Sequence, residues 1–270
     1  MKELLLFDLK NCFSNTKFKA VSILILLIPI IGFVINCNFY YGLDGMFIRS
    51  VHDQSFLNSL HMLSIKNWFI VIMPLLMLLL CSDIYSREYS SGVYKNIITK
   101  KSRSKYFFSK IIAISILTFT VVFFSLAFNY LLCYITYPLN AFDSPSALPD
   151  FAITEEYRSY GLFDMLRIQH KYIYDFVFIL LFSIISVFYS LIGFVVSLFI
   201  KDQKISIIGT FLGFIFTSLL LTSLFGSGYD INYYLQGYSK GTYILIIWIL
   251  FFLLFIVGGT ILKIKIYDEI

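Results

Sequence analysis

Residues Ile111 to Ile135 read IIAISILTFTVVFFSLAFNYLLCYI, 25 positions without an Asp, Glu, Lys or Arg. Crossing about 30 Å of hydrocarbon takes roughly 20 apolar residues in an α-helix, so this run is long enough to span a bilayer. It has to be helical, because any other open backbone in lipid leaves its N–H and C=O groups unpaired. Shorter or equal runs lie on both sides: Ala20 to Asn36, Asn67 to Ser82, Phe176 to Ile200, Ile205 to Phe225 and Tyr243 to Leu262. The composition agrees, with 59% hydrophobic against 14% charged residues in a chain of 270, where soluble domains average about 45–50% and about 25%. The predicted fold class is all-α: a polytopic membrane protein of six transmembrane helices, residues 1–270 forming one domain.

Ahead of the first span, Leu5, Leu9 and Phe13 recur every four residues, which predicts an amphipathic helix over residues 1–18 lying in the membrane interface. Charges alternate with apolar side chains there, unlike a cleaved secretory signal, so the segment is expected to be retained. Placing the N-terminus inside puts 15 of the 21 Lys and Arg residues in cytoplasmic segments and six outside, as the positive-inside rule requires. Both termini are then cytoplasmic, and the Ile-, Lys- and Phe-heavy usage suggests a bacterial plasma membrane. The outer loops are 38–66, 138–172 and 226–242, whereas spans four and five are joined only by Lys201-Asp202-Gln203-Lys204. One substantial cytoplasmic segment is left, residues 83–110.

Within it, Tyr85, Tyr89, Val93 and Ile97 recur at helical spacing and predict an amphipathic helix beneath the membrane. The basic run Lys100, Lys101, Arg103 and Lys105 follows, suited to anionic headgroups. Catalytic signatures are absent. No GxxxxGK[ST] occurs, so the chain has no phosphate-cradling loop and is expected not to be its own ATPase. HExxH and GxSxG are missing too, and His52, His61 and His170 fall in predicted outer loops. The four cysteines, Cys12, Cys37, Cys81 and Cys133, form no CxxC pair, so no metal centre is expected; Cys37 and Cys133 fall near one face, and a disulfide between them is left open. The predicted spans carry essentially no ionisable group except Asp175 at the start of the fourth, which argues against an ion-coupled carrier. Phe124, Phe128 and Asn129 on span three and Phe211 and Phe214 on span five are candidate path-lining residues, with lipid contact or helix packing as the competing role. Gly209 and Gly213 form a GxxxG pattern that would let helices approach closely.

With Glu88 and Gly92 as an acidic-x-x-x-Gly element, Ser102-Arg103 as a small-residue-Arg pair and Lys110 just before span three, the chain resembles the permease subunits of ABC-2 type (type V) ABC exporters. That resemblance implies a coupling helix, with Arg87, Glu88, Tyr89, Gly92, Val93 and Tyr94 contacting a separate ATP-binding subunit that would carry ATP and Mg. It also implies a second permease copy or paralogue, no cofactor in this chain, no nucleic-acid partner, and a hydrophobic or amphipathic cargo such as an antimicrobial peptide, a drug or a lipid. Two features depart from the pattern: Lys100-Lys101 stand where such permeases have a proline, and the Gly- and Tyr-rich stretch from Gly226 to Thr242 disfavours a full re-entrant helix before the last span. A non-transporting scaffold or sensor with a partner-docking loop, or a secondary carrier, are the other readings of the sequence.

Overall fold

The six apolar runs each fold as one long α-helix in the computed structural model, which describes residues 2–43, 48–81, 84–100, 102–139, 159–200 and 202–265. The spans are α2 (Thr16–Tyr40), α4 (Leu63–Cys81), α7 (Arg103–Thr136), α9 (Lys171–Phe199), α10 (Gln203–Phe225) and α12 (Thr242–Lys265). Between and before them lie α1 (Lys2–Ser14), α3 (Val51–Gln54), α5 (Ile84–Ser90), α6 (Val93–Lys100), α8 (Asp164–Gln169) and α11 (Ile231–Leu235). No strand occurs among the described residues; Gly161 and Tyr238 form one isolated bridge. Polar residues set the helix starts. Asn15 accepts a hydrogen bond from the Lys17 N–H, and Asp202 accepts from the N–H groups of Lys204 and Ile205, which lets α10 begin within four residues of the end of α9.

Because the spans alternate in direction, the ends of α2, α7 and α10 meet the starts of α4, α9 and α12 at one end of the bundle. The core is built around α9. Of its most apolar stretch 78% is buried inside the chain, against 6% for α10, so α9 is the axis and α10 a peripheral helix. Small residues make that axis possible: Ser183, Ser186, Ser190, Gly193 and Ser197 are all buried on it. Ser183 and Ser186 donate to carbonyls four residues back, and Ser190 Oγ donates to the Met77 carbonyl of α4 at 2.9 Å. On α12, Gly259 abuts Val195 so closely that an added Cβ would collide with its Cγ1. Gly209 and Gly213, by contrast, have nothing within 4 Å of such an atom, so the GxxxG pattern packs closely against no helix among the described residues.

Pro29 inside α2 cannot donate to the Ile25 carbonyl, and α7 takes up the vacancy. Ser125 Oγ donates to that carbonyl at 2.8 Å, and Asn129 Nδ2 donates to the Pro29 carbonyl at 2.8 Å. Asn129 Oδ1 in turn accepts from the Phe56 N–H at 3.1 Å. Phe56 belongs to a segment expected to be an outer loop but folded back into the bundle, with Val51, His52, Gln54, Phe56 and Met62 all buried. There His52 Nδ1 lies 2.9 Å from Asp175 Oδ1, and Asn58 Nδ2 donates to the same oxygen at 2.7 Å. Ionisable groups are therefore more numerous inside the bundle than the run-by-run expectation had it; the backfolded segment supplies the partner that makes Asp175 tolerable there. Cys37 and Cys133 are free thiols with separate contacts, to the Tyr137 hydroxyl at 3.3 Å and the Gln54 carbonyl at 3.4 Å. Between Gly226 and Thr242 only a 3-10 turn (Ser227–Tyr229) and the five-residue α11 form.

Candidate functional site

Two short helices hang below α4 where one was expected. The every-fourth pattern through Tyr85, Tyr89, Val93 and Ile97 is interrupted at Gly92, whose φ of +74° is left-handed. Open space surrounds that position, so glycine is needed for the sign of φ and not for room. The chain thus makes an elbow between α5 and α6. Apolar contact is recovered another way, through an aromatic cluster: Tyr94 lies 5.4 Å from Tyr85 and 5.4 Å from Tyr106, ring centre to ring centre, and Tyr106 lies 5.2 Å from Phe107. These edge-to-face pairs fasten the elbow to the first turns of α7.

Beside that cluster sits a buried ion cluster. Lys110 Nζ donates to Glu88 Oε1 at 2.7 Å and to Asp8 Oδ1 at 2.8 Å. Tyr106 Oη donates to Glu88 Oε2 at 2.6 Å, and Ser109 Oγ donates to Asp8 Oδ2 at 2.9 Å. Lys110 is fully buried and both carboxylates are nearly so. The ammonium also lies 4.6 Å from the centre of the Tyr106 ring. Removing ions from water is expensive, and such a cluster survives because each carboxylate has both an ammonium and a neutral donor. Three elements distant in sequence, α1, α5 and α7, are locked together by it.

The expected contact residues divide accordingly. Glu88 and Tyr94 are buried against the bundle, Gly92 is exposed, and Arg87, Tyr89 and Val93 are half-buried at the rim of the elbow. Ser90, Ser91, Lys95, Asn96 and Thr99 complete the exposed face. Of the basic run, Lys105 is exposed and Arg103 half-buried at the start of α7; Lys101 and the side chain of Lys100 lie outside the described residues, as does the acidic stretch 140–158 of the second outer loop. Glu88 and Lys110, paired in sequence only as motif members, meet in space. Asp8 was missed, although its signal is legible: a carboxylate on the apolar stripe of α1, between Leu5 and Cys12. That stripe is rotated from expectation, with Asp8 and Cys12 buried and Phe13 exposed, because α1 docks through its acid and not its largest ring.

The candidate path residues do not converge. Phe124 and Phe128 are exposed on α7, and Asn129 is the buried strut described above. Phe214 packs on Tyr189 at 4.9 Å and lines an apolar groove of about 940 Å³ between α10 and α12, whereas Phe211, half-buried on α10, is not among the residues lining it.

A family model described as ABC-2 family transporter protein matches residues 15–153, just over half of the chain, from the start of α2 through α7. No curated protein and no solved structure matches it.

Proposed function

Because the chain belongs to the ABC-2 family of transporter proteins, we propose that it is the permease half of an ATP-driven exporter whose motor is a separate ATP-binding subunit gripping the α5–α6 elbow. Membership makes it a multi-pass membrane component of transport, in an assembly that includes an ATP-binding subunit. Export, the elbow as docking site and the cargo are the proposal.

The observation that carries it is the Lys110 cluster. A docking element that merely trailed below the membrane would transmit no force. Here Glu88 of the elbow is tied to the base of α7 and, through Lys110, to α1, so a push on the rim at Arg87, Tyr89, Gly92 and Val93 would move α7 as a lever. Glu88 and Tyr94 act from inside, fixing the elbow that the rim presents. The excess of basic residues on this side supports a cytoplasmic elbow and cytoplasmic termini. ATP and Mg would reside on the motor. The apolar faces left open on α10 and α12 suit lipid and a second permease copy or paralogue, and the family's hydrophobic or amphipathic cargo, such as an antimicrobial peptide, a drug or a lipid, is the substrate class that follows.

Co-expression with an ATP-binding subunit encoded beside this chain, purification of the pair and assay of ATP turnover provide the test. Gly92→Val and Tyr89→Ala should leave membrane insertion intact and reduce cargo-stimulated turnover severalfold. Copurification of no ATPase, or labelling of Lys95 from outside the cell, would refute the docking assignment. The scaffold reading would then take its place.

A further inference from the structure

At the end of the bundle opposite the elbow, α3 and the start of α4 wall a cavity of about 570 Å³ with the chain around Tyr160 and Gly237, a volume in the range of small-ligand sites. Its polar lining is lopsided. Lys66 is 5% exposed and donates to one group among the described residues, the Leu57 carbonyl at 2.6 Å. An ammonium has three N–H donors, so two remain unused. Gln54 is 1% exposed; its Oε1 accepts from Asn36 Nδ2 at 2.8 Å, while its Nε2 has no partner among the described residues. Unsatisfied buried donors are rare in folded proteins and ask for an explanation. Both of these belong to residues lining the same cavity, and both are donors.

The carboxylates nearby do not answer them. Asp164 accepts from Arg167 Nε at 2.6 Å, Asp53 from Ser50 Oγ at 3.0 Å, and Asp175, behind His52, from Asn58. Among the described residues the charged lining groups are Arg49, Lys66 and Arg167 against Asp53 and Asp164, three cations to two anions, hence one net positive charge from these groups. His61 adds none at neutral pH, since partial burial and the Arg49 guanidinium push its pKa below the ordinary histidine value. Around the donors stand Phe39, Tyr40, Leu57 and Leu60, an apolar and aromatic wall.

We propose that this cavity binds the carboxylate of a small amphipathic molecule, such as the C-terminus of a hydrophobic peptide, with Lys66 and Gln54 Nε2 as its donors and the aromatic wall holding the adjoining apolar part. A single negative charge neutralises the site; a phosphate dianion would overshoot it. The assignment is independent of the motor-docking proposal, being made of different residues at the other end of the molecule.

The test uses the full chain in nanodiscs of phosphatidylcholine, which offers no anionic headgroup. Acetyl-Phe-Leu-Leu with a free C-terminus and the same peptide as its C-terminal amide are titrated by thermophoresis. The acid should bind about tenfold or more tightly than the amide, as expected for a charge-assisted pair of hydrogen bonds. Lys66→Met and Gln54→Glu should each abolish that preference, the second by turning a donor into a like-charged acceptor while still able to accept from Asn36. Millimolar inorganic phosphate should not displace the peptide. Equal affinity for acid and amide, a preference that survives both substitutions, or displacement by phosphate would overturn the assignment. If one variant fails to insert, the other variant and the acid-to-amide comparison still decide.

Discussion

Both ends of the bundle bury a lysine, and they treat it oppositely. Lys110, at the elbow, faces two carboxylates, each held by a further hydroxyl. Lys66, at the far end, has a single carbonyl among the described residues. The far end is not short of acids, for Asp175 lies fully buried beside His52 and Asn58. Among the described residues, none of them is directed at Lys66. A saturated cluster is rigid and suits transmission of force, whereas a cation left short of partners suits a ligand that arrives later.

Stability measurements can break this contrast. The largest effect should come from Lys110→Met, which strands Asp8 and Glu88 without a counter-ion; a loss of about 3–5 kcal/mol is expected, read as collapse of the folded peak in detergent chromatography and of the thermal midpoint. Asn129→Leu should follow, leaving the Pro29 carbonyl and the Phe56 N–H unanswered in an apolar surrounding, at about 1–3 kcal/mol for a stranded group; thermal unfolding of the purified protein measures it. Gly92→Ala should cost about 1 kcal/mol through the left-handed φ alone, and hydrogen exchange at Ser91 and Lys95 would localise the loosening to the elbow. Lys66→Met should do least. It removes one hydrogen bond and one desolvated charge together, so the thermal midpoint should stay unchanged or rise. A large loss there would mean that the far end is as saturated as the elbow, and the two-ended contrast would fail.

The six spans were legible because a bilayer tests each segment separately, by length and hydrophobicity, and the observed helices exceed the apolar runs mainly where polar caps or interfacial residues extend them. The elbow was half legible. Period-four spacing marks Tyr85 and Tyr89 as an apolar stripe, but Gly92 reads there as a motif member and not as a helix stop, although glycine just past a short helical stretch is a C-terminal signal. The backfolding of Val51 to Met62 had no local signature. Its His52, Gln54 and Asn58 look like any solvated loop until Asp175, facing His52 and Asn58, and Asn36, facing Gln54, are seen.

From its residues alone this chain had to be a six-helix membrane bundle with one basic face, because burial in lipid and the distribution of lysine and arginine depend on composition along short windows. Which charges are answered and which are left waiting was decided only by the tertiary structure. Asp8 and Lys110 are separated by 102 positions and His52 and Asp175 by 123, and the energy of a buried ion depends on what stands within a few ångströms of it, a distance that spacing along the chain does not encode.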